Sequence, residues 1–192
     1  MSQAATQRAT YDDILRAPPD RVAEILSGDL VLTPRPTPRH ARVGYRLGGG
    51  LQGFDSNTGD PGGWWILPEP ELHLAGHVLV PDLAGGRLPR DEVFGGEPFV
   101  AVVPDWVMEI LSPATARRDR IQKADIYAGL GIGWMWLADP DMETLEVFEL
   151  RDGVWARVQA FEGAARIRAR PFDAVELDLG HVWPPPRLPK AP

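Results

Sequence analysis

Two carboxylates stand where strand packing alone would favour an apolar residue. Asp82 directly follows an apolar run that begins at Val78, and Glu109 lies inside the apolar run 104–111. A carboxylate buried alone is costly, so such residues usually have a cation, a partner or a function. If the two runs form neighbouring strands, both carboxylates can face one divalent ion, and Mg²⁺ or Mn²⁺ prefers such oxygen ligands. The pattern therefore predicts a metal site made by Asp82 and Glu109.

A predicted helix adds a cation to these two acids. The Ser-Pro pair at 112–113 is typical of a helix start. Asp119, Lys123 and Tyr127 follow at i, i+4 and i+8, which places them on one helix face. We expect Lys123 to reach the carboxylates. An ammonium group beside a metal can orient the attacking water and stabilise negative charge on a phosphoryl group.

Several segments of the chain together resemble a known protein family. They are 24–30, Pro81-Asp82, 109–113, the set Asp119, Lys123 and Tyr127, and 136–140. The resemblance is to the Uma-two (Uma2) family of restriction endonucleases, within the PD-(D/E)xK nuclease superfamily. It extends from around Tyr11 to Leu150.

The resemblance implies a fold, a reaction and a set of catalytic residues. The implied fold class is α/β: a restriction-endonuclease-like mixed sheet with an αβββαβ core flanked by helices, here with added C-terminal strands. The implied reaction is hydrolysis of DNA phosphodiester bonds with Mg²⁺ held by Asp82 and Glu109. The superfamily places a lysine two residues after the second acid, where this chain has Leu111. The family uses a lysine on the following helix, which here is Lys123.

Each catalytic candidate also has a purely structural interpretation. Asp82 could cap the loop that follows its strand. Glu109 could be a buried glutamate paired with an arginine of 117–118. Lys123 could form an ordinary surface pair with Asp119.

Other residues are accessory candidates. Glu24 is either an additional acid of the site, as the resemblance suggests, or the end of a helix. Glu71 lies on the strand before Asp82 and could contact a second metal, orient Lys123 or have only a structural role. Tyr127 is expected to pack its ring and hydrogen-bond an acid.

The one basic cluster near the predicted site consists of Arg117, Arg118 and Arg120. These arginines are candidates for contacts with a phosphate backbone, and the alternative is a solvated helix end. His40 is interpreted as a residue of a helix cap. Five of the seven tryptophans fall in apolar strands and are expected in core or dimer packing: Trp64, Trp65, Trp106, Trp134 and Trp136.

Helices and strands are predicted from hydrophobic spacing, prolines and glycines. The expected elements are short helical turns within 10–26, a hairpin over 24–32, a helix over 40–54, strands within 64–74 and 77–83, a loop over 84–97, a central strand over 104–111, a helix from 114 or 117 to 130, and strands over 133–138, 143–150, 154–161, 166–170 and 174–177. This order indicates a mixed α/β domain with helices around one sheet.

The composition limits the class of protein. The 192 residues are 44% hydrophobic and 24% charged, which predicts one soluble domain over 1–183, followed by a flexible proline-rich tail over 184–192. No cysteine is present, so thiolate zinc sites and cysteine nucleophiles are excluded. The chain has no apolar stretch that could cross a bilayer and no signal-peptide pattern, so we expect a cytoplasmic protein without a membrane partner.

Three functions are compatible with these patterns. The leading one is a metal-dependent DNA endonuclease, expected to act as a homodimer because restriction-type nucleases often pair two sites to cut two strands. The net charge of −7 opposes long-range attraction to DNA, so this function requires a local basic cleft. The second is a catalytically inactive binding or assembly module that keeps the nuclease fold. The third is a metal-dependent hydrolase of a small phosphorylated substrate.

Overall fold

The computed structural model describes residues 8–56, 61–87, 93 and 96–185. The helices are α1 (Tyr11–Leu15), α2 (Pro38–Gly50) and α3 (residues 116–129), and a 3-10 turn spans Leu179–His181. Helix α3 is α-helical over Ala116–Arg118, π-helical over Asp119–Lys123 and α-helical over Ala124–Gly129. The strands are β1 (Arg21–Leu26), β2 (Asp29–Pro34), β3 (Trp64–Pro68), β4 (Leu72–Leu74), β5 (His77–Leu79), β6 (Leu83–Arg87), β7 (Trp106–Ile110), β8 (Trp134–Asp139), β9 (Thr144–Arg151), β10 (Val154–Glu162), β11 (Arg166–Ile167) and β12 (Leu177–Asp178).

A six-stranded mixed sheet forms the centre of the fold. Its strand order is β10-β9-β8-β7-β6-β3, with β7 and β8 parallel and the other neighbours antiparallel. The order α2-β3-β6-β7-α3-β8 is the predicted αβββαβ core, and β9 and β10 are the added C-terminal strands. A smaller sheet, β2-β1-β5-β4, carries the N-terminal hairpin. The predicted fold class is confirmed.

Each face of the large sheet is covered by its own hydrophobic core. On one face, α2 and the C-terminal segment pack around the rings of Trp106, Trp136 and Phe172. On the other face, α3 and the smaller sheet pack on Val107 and its neighbours. All five residues of β7 are buried, as a central strand between two layers requires. Five of the seven tryptophans are buried, and these supply core packing: Trp64, Trp65, Trp106, Trp136 and Trp183.

The predicted helix over 40–54 is present as α2, although it ends at Gly50, and its glycines let it pack closely against β7 and β12. A Cβ atom on Gly44 would lie 3.3 Å from Ile110 Cδ1, and one on Gly50 would lie 2.8 Å from Leu177 Cδ2. Close packing therefore offsets the loss of helix propensity at these positions.

The prediction of a loop over 84–97 is wrong at its start, because Leu83–Arg87 form β6 inside the large sheet. The two glycines that suggested a loop permit a tight contact with β3. A Cβ atom on Gly85 would lie 2.8 Å from the Trp65 carbonyl oxygen, and one on Gly86 would lie 2.6 Å from Trp65 Nε1. These glycines mark a close approach of two strands.

Other element boundaries also differ from prediction. The hairpin expected over 24–32 is present, but its first strand begins at Arg21, inside the segment expected as helical, because residues 21–26 pair along their whole length with β2. The single strand expected within 64–74 is divided by Pro68-Glu69-Pro70, where Glu69 has φ +44°. The strands expected over 166–170 and 174–177 are only two residues long each.

Trp183 is packed in the domain, where its Nε1 donates a hydrogen bond to the Gly163 carbonyl at 2.7 Å. Most of the predicted flexible tail, from residue 186 onward, lies outside the described residues. In the described part of the chain, no helix combines the length and hydropathy needed to cross a membrane.

Candidate active site

Asp82 lies immediately before β6, at the point where the chain leaves the smaller sheet and enters the larger one. Its Oδ2 accepts a hydrogen bond from the backbone N–H of Ile110 at 2.6 Å. This contact ties Asp82 to the end of β7, one residue beyond Glu109. The Asp82 side chain is 15% exposed, and its other oxygen, Oδ1, lies 3.3 Å from His40 Nε2.

Glu109 is the buried acid of β7. Its Oε1 accepts a hydrogen bond from the Tyr127 hydroxyl at 2.5 Å and forms an ion pair with Lys123 Nζ at 2.7 Å. Burial raises the pKa of Glu109 well above its ordinary value, and the charge of Lys123 opposes that rise. Burial also raises the pKa of Tyr127, so the phenol remains a proton donor to the carboxylate. The described contacts use Oε1, which leaves Oε2 for a ligand.

Lys123 lies in the π-helical turn of α3 and is only 2% exposed. Its Nζ is 2.7 Å from Glu109 Oε1 and 2.9 Å from Glu24 Oε1, and it donates to the Val80 carbonyl at 3.3 Å. Burial alone would lower the pKa of Lys123, but the two glutamates outweigh it and raise the pKa well above the ordinary value. Lys123 is therefore a charged ammonium inside the domain, which differs from the surface pair with Asp119 considered above.

Glu24 reaches the same group from β1 of the smaller sheet. Pairing of Ile25 with Val78 aligns β1 with β5 and brings Glu24 Oε1 within 2.9 Å of the Val80 backbone N–H. The glutamate is 3% exposed. Of the two interpretations of Glu24, the structure therefore has the acid turned into the site and not the end of a helix.

Asp119 is also buried beside this group. Burial raises the pKa of its carboxyl, and the Lys123 charge and a hydrogen bond with Thr115 act in the opposite direction. Both Asp119 and Lys123 belong to the π-helical turn. Such turns are frequent at functional sites, because they redirect side chains that a regular helix would space differently.

A cleft of about 340 Å³ opens over these residues. Its lining includes the four acids and the lysine described above: Glu24, Asp82, Glu109, Asp119 and Lys123. The structure thus brings together the three catalytic candidates and two of the accessory acids.

His40 is a site residue that the sequence analysis did not find. Its Nε2 lies 2.9 Å from the Ile110 carbonyl oxygen and 3.3 Å from Asp82 Oδ1. Burial lowers the pKa of His40, but the Asp82 carboxylate more than compensates, so the pKa is raised overall. The expected cap role concerns only the backbone of His40, whose N–H donates to the Thr37 side chain that caps α2. The ring of His40 instead contacts the Ile110 carbonyl and Asp82.

Three other candidates lie away from the lysine and the acids. Glu71 Oε1 is 2.7 Å from His73 Nε2 and lines a different pocket, so the structure does not place it against Lys123. Arg120 pairs with Glu146 at 2.7 Å on the surface. Arg117 is exposed and is not part of the cleft lining, whereas its neighbour Arg118 is.

The oxygen donors at the cleft fit a hard divalent cation that keeps part of its water shell. Asp82 Oδ1 and Glu109 Oε2 come from adjacent parts of the large sheet, Asp82 directly before β6 and Glu109 on β7. The Ile110 carbonyl oxygen already lies 2.9 Å from His40 Nε2. Among the described residues, no group of three or more His, Asp or Glu side chains forms a ready metal cage. Mg²⁺ is usually held by one or two carboxylates together with water and substrate phosphate, so a two-carboxylate site matches its preference.

The αβββαβ sheet, with acids at two adjacent strands and a lysine paired with one of them, defines a restriction-endonuclease-like protein. The chain matches the Uma2 family, described as "Putative restriction endonuclease", over residues 8–180 and belongs to that family.

Solved structures support the fold, and four chains match. One is the crystal structure of "a putative nuclease belonging to DUF820" from Anabaena variabilis ATCC 29413. It shares 22% sequence identity with this chain and aligns with a TM-score of 0.70 over 91% of this chain and 97% of that one. No curated protein gives a significant match.

Proposed function

We propose that this protein is a metal-dependent endonuclease that hydrolyses DNA phosphodiester bonds, with Mg²⁺ or Mn²⁺ held by Asp82 and Glu109. One observation carries the proposal. Lys123 Nζ lies 2.7 Å from Glu109 Oε1 in a cleft that Asp82 also lines. In the superfamily pattern the acid and the lysine lie on one strand. Here Glu109 lies on β7 and Lys123 on α3, and the two side chains meet in space. Leu111, at the usual lysine position, packs in the core.

Each residue has a defined task in this reaction. A bound divalent ion supplies Lewis-acid polarisation of the phosphoryl oxygen and a lower pKa for water. Asp82 and Glu109 supply its carboxylate ligands, and the hydrogen bond from the Ile110 N–H fixes the orientation of Asp82. The charge of Lys123 favours the ionised form of Glu109 against the effect of burial. Lys123 also presents positive charge near the phosphate, where negative charge develops in the transition state.

Calorimetric titration with Mn²⁺ tests the metal site without knowledge of the DNA sequence. Asp82→Asn keeps an oxygen that can accept from the Ile110 N–H, and Glu109→Gln keeps one for Tyr127, so both variants should fold. We expect both to lose Mn²⁺ binding and Mn²⁺-dependent cleavage of plasmid DNA. Glu149→Gln, which changes a surface glutamate paired with Arg151, is the matched control and should retain both. Cleavage that persists in Asp82→Asn would overturn the proposal.

A second candidate is the catalytically inactive module, and one observation favours it. The ammonium group of Lys123 has three donors, and Glu24, Glu109 and the Val80 carbonyl provide three acceptors within the protein. The group is therefore satisfied without substrate or metal. This candidate predicts no heat from Mn²⁺ with the wild-type protein, in the presence or absence of DNA.

Cutting both strands of a duplex calls for two sites, so we further propose that the active form is a homodimer. Light scattering of the purified protein, with and without duplex DNA, tests this assembly. A mass of one chain under both conditions would contradict it.

A further inference from the structure

Two arginines line the candidate active site without a carboxylate partner. Arg35 and Arg118 both belong to the lining of the cleft that contains Lys123. Among the described residues neither forms an ion pair, whereas the nearby Arg120 is paired with Glu146 at 2.7 Å. The cleft lining includes five acids, Glu69 among them, so two guanidinium groups there without an ion pair require an explanation.

Arg35 is held in place by the backbone. It follows β2, and its Nε and Nη2 both donate to the Pro19 carbonyl at 3.3 Å. A guanidinium group carries five N–H donors, so this contact fixes the side chain and leaves further donors free. The arginine is therefore oriented before any ligand arrives, which lowers the entropy cost of binding.

Arg118 approaches the cleft from another segment of the chain. It is the last residue of the first α-helical part of α3, directly before the π-helical turn. The residue is half-buried, while its neighbour Arg117 is exposed. A partly desolvated cation binds an anion more strongly than a fully solvated one, because water screens the charge less.

We infer that Arg35 and Arg118 form an anion clamp that binds backbone phosphates of a nucleic acid next to the phosphate being cleaved. This inference rests on the proposed nuclease function and adds the residues that hold the substrate. A chain with net charge −7 needs local positive charge to bind a polyanion. Arginine suits that role because its planar fork can bind two phosphate oxygens at once.

DNA binding by the Asp82→Asn variant tests the clamp without cleavage of the probe. Fluorescence anisotropy with a labelled duplex would compare Arg35→Gln, Arg118→Gln and Arg42→Gln, each added to Asp82→Asn. Arg42 is the matched control, because it is exposed on α2, lies outside the cleft lining and has no ion pair within the described residues. Thermal unfolding of each variant verifies that the fold is retained.

Each clamp substitution should weaken binding by about tenfold and reduce the slope of log K against log salt by about 1, as expected for loss of one phosphate contact. Arg42→Gln should change affinity less than about twofold. On the wild-type background, the clamp substitutions should raise KM for DNA more than they lower kcat.

Two results would overturn the clamp, and they differ in what they say about the nuclease. If wild-type protein cleaves DNA while all three arginine variants bind equally well, the clamp is wrong and the proposed function stands. If wild-type protein neither binds nor cleaves DNA with Mn²⁺ present, the clamp and the proposed function fail together.

Discussion

The protein contains two three-membered charge clusters with opposite arrangements. In the active site, Lys123 lies between Glu24 and Glu109, with N···O distances of 2.9 and 2.7 Å. On the surface of the large sheet, Glu146 lies between Arg120 and Arg157, with distances of 2.7 and 2.8 Å. The contact geometry is nearly the same, but the solvent around the two clusters differs.

Exposure determines what each cluster contributes. The side chains of the active-site cluster are 3–4% exposed, whereas Arg120 and Arg157 are 39% and 58% exposed. Burial raises the pKa of Glu109 despite the adjacent lysine. Burial acts in the same direction on Glu146, but the two arginines prevail and lower its pKa. Because desolvation offsets much of the attraction inside the protein, stability alone does not account for the buried cluster.

Removal of the buried cation should have the largest effect. Lys123→Met leaves two buried glutamates without their shared partner, so the free energy of unfolding should fall by about 3–5 kcal/mol. Urea denaturation followed by tryptophan fluorescence measures this loss. Arg120→Met removes the corresponding partner at the surface and should cost less than about 1 kcal/mol. Equal losses of unfolding free energy in the two variants would show that burial does not change how much a charge cluster contributes to stability.

Replacement of the whole buried cluster separates stability from function. Glu24→Gln, Lys123→Met and Glu109→Gln together keep the acceptors for the Val80 N–H and the Tyr127 hydroxyl but remove all three charges. Neutral replacements of buried ion clusters are often neutral or stabilising, so this variant should recover most of the stability lost by Lys123→Met alone. It should have no metal-dependent cleavage. A variant that stays as unstable as Lys123→Met would contradict a functional origin for the cluster.

The hydroxyl of Tyr127 should have the next largest effect. Tyr127→Phe removes the donor to Glu109 Oε1 but keeps the buried ring, so the free energy of unfolding should fall by about 1.5–3 kcal/mol. Tyr45→Phe is the control, because Tyr45 is 77% exposed and should change stability by less than about 0.5 kcal/mol. Urea denaturation of both variants measures the difference.

The buried cluster also shows how far the sequence could predict the site. The spacing of apolar runs predicted that β7 is central and that Glu109 is enclosed, because a continuous apolar strand must be covered on both faces. Helical spacing put Lys123 on the correct side of α3. It could not show the π-helical turn, since that turn arises from tertiary contacts and not from the local pattern.

Residues that meet only through the fold were beyond prediction. His40 contacts the Ile110 carbonyl across 70 positions of sequence, and no local signal distinguishes it from a cap residue. Gly85 and Gly86 have the pattern of a loop, and only the contact with Trp65 explains why they lie in a strand. Glu71 was considered as a contact for a second metal or for Lys123, or as a structural residue, and it pairs with His73 two residues away.

A smaller effect is expected for one surface arginine. Arg157→Gln leaves Arg120 beside Glu146, and solvent screening weakens each pair, so the free energy of unfolding should fall by less than about 1 kcal/mol. The loss should shrink further in 0.5 M NaCl, since salt screens exposed charges at about 3–10 Å. Urea denaturation at low and high salt tests this. A loss above about 2 kcal/mol, unchanged by salt, would mean that the surface cluster behaves like the buried one.

The smallest effect concerns the pH dependence of Glu146. Its folded-state pKa lies below the ordinary value of 4.5, because hydrogen bonds from Arg120 and Arg157 outweigh burial. Its contribution to stability is therefore present above pH 4.5 and is lost as the pH falls through the folded-state pKa. When the pH is lowered from neutral to below the folded-state pKa of Glu146, the free energy of unfolding should fall less for Glu146→Gln than for the wild type. If the variant and the wild type have parallel stability curves, the arginines do not stabilise the ionised form, and the contrast with Glu109 disappears.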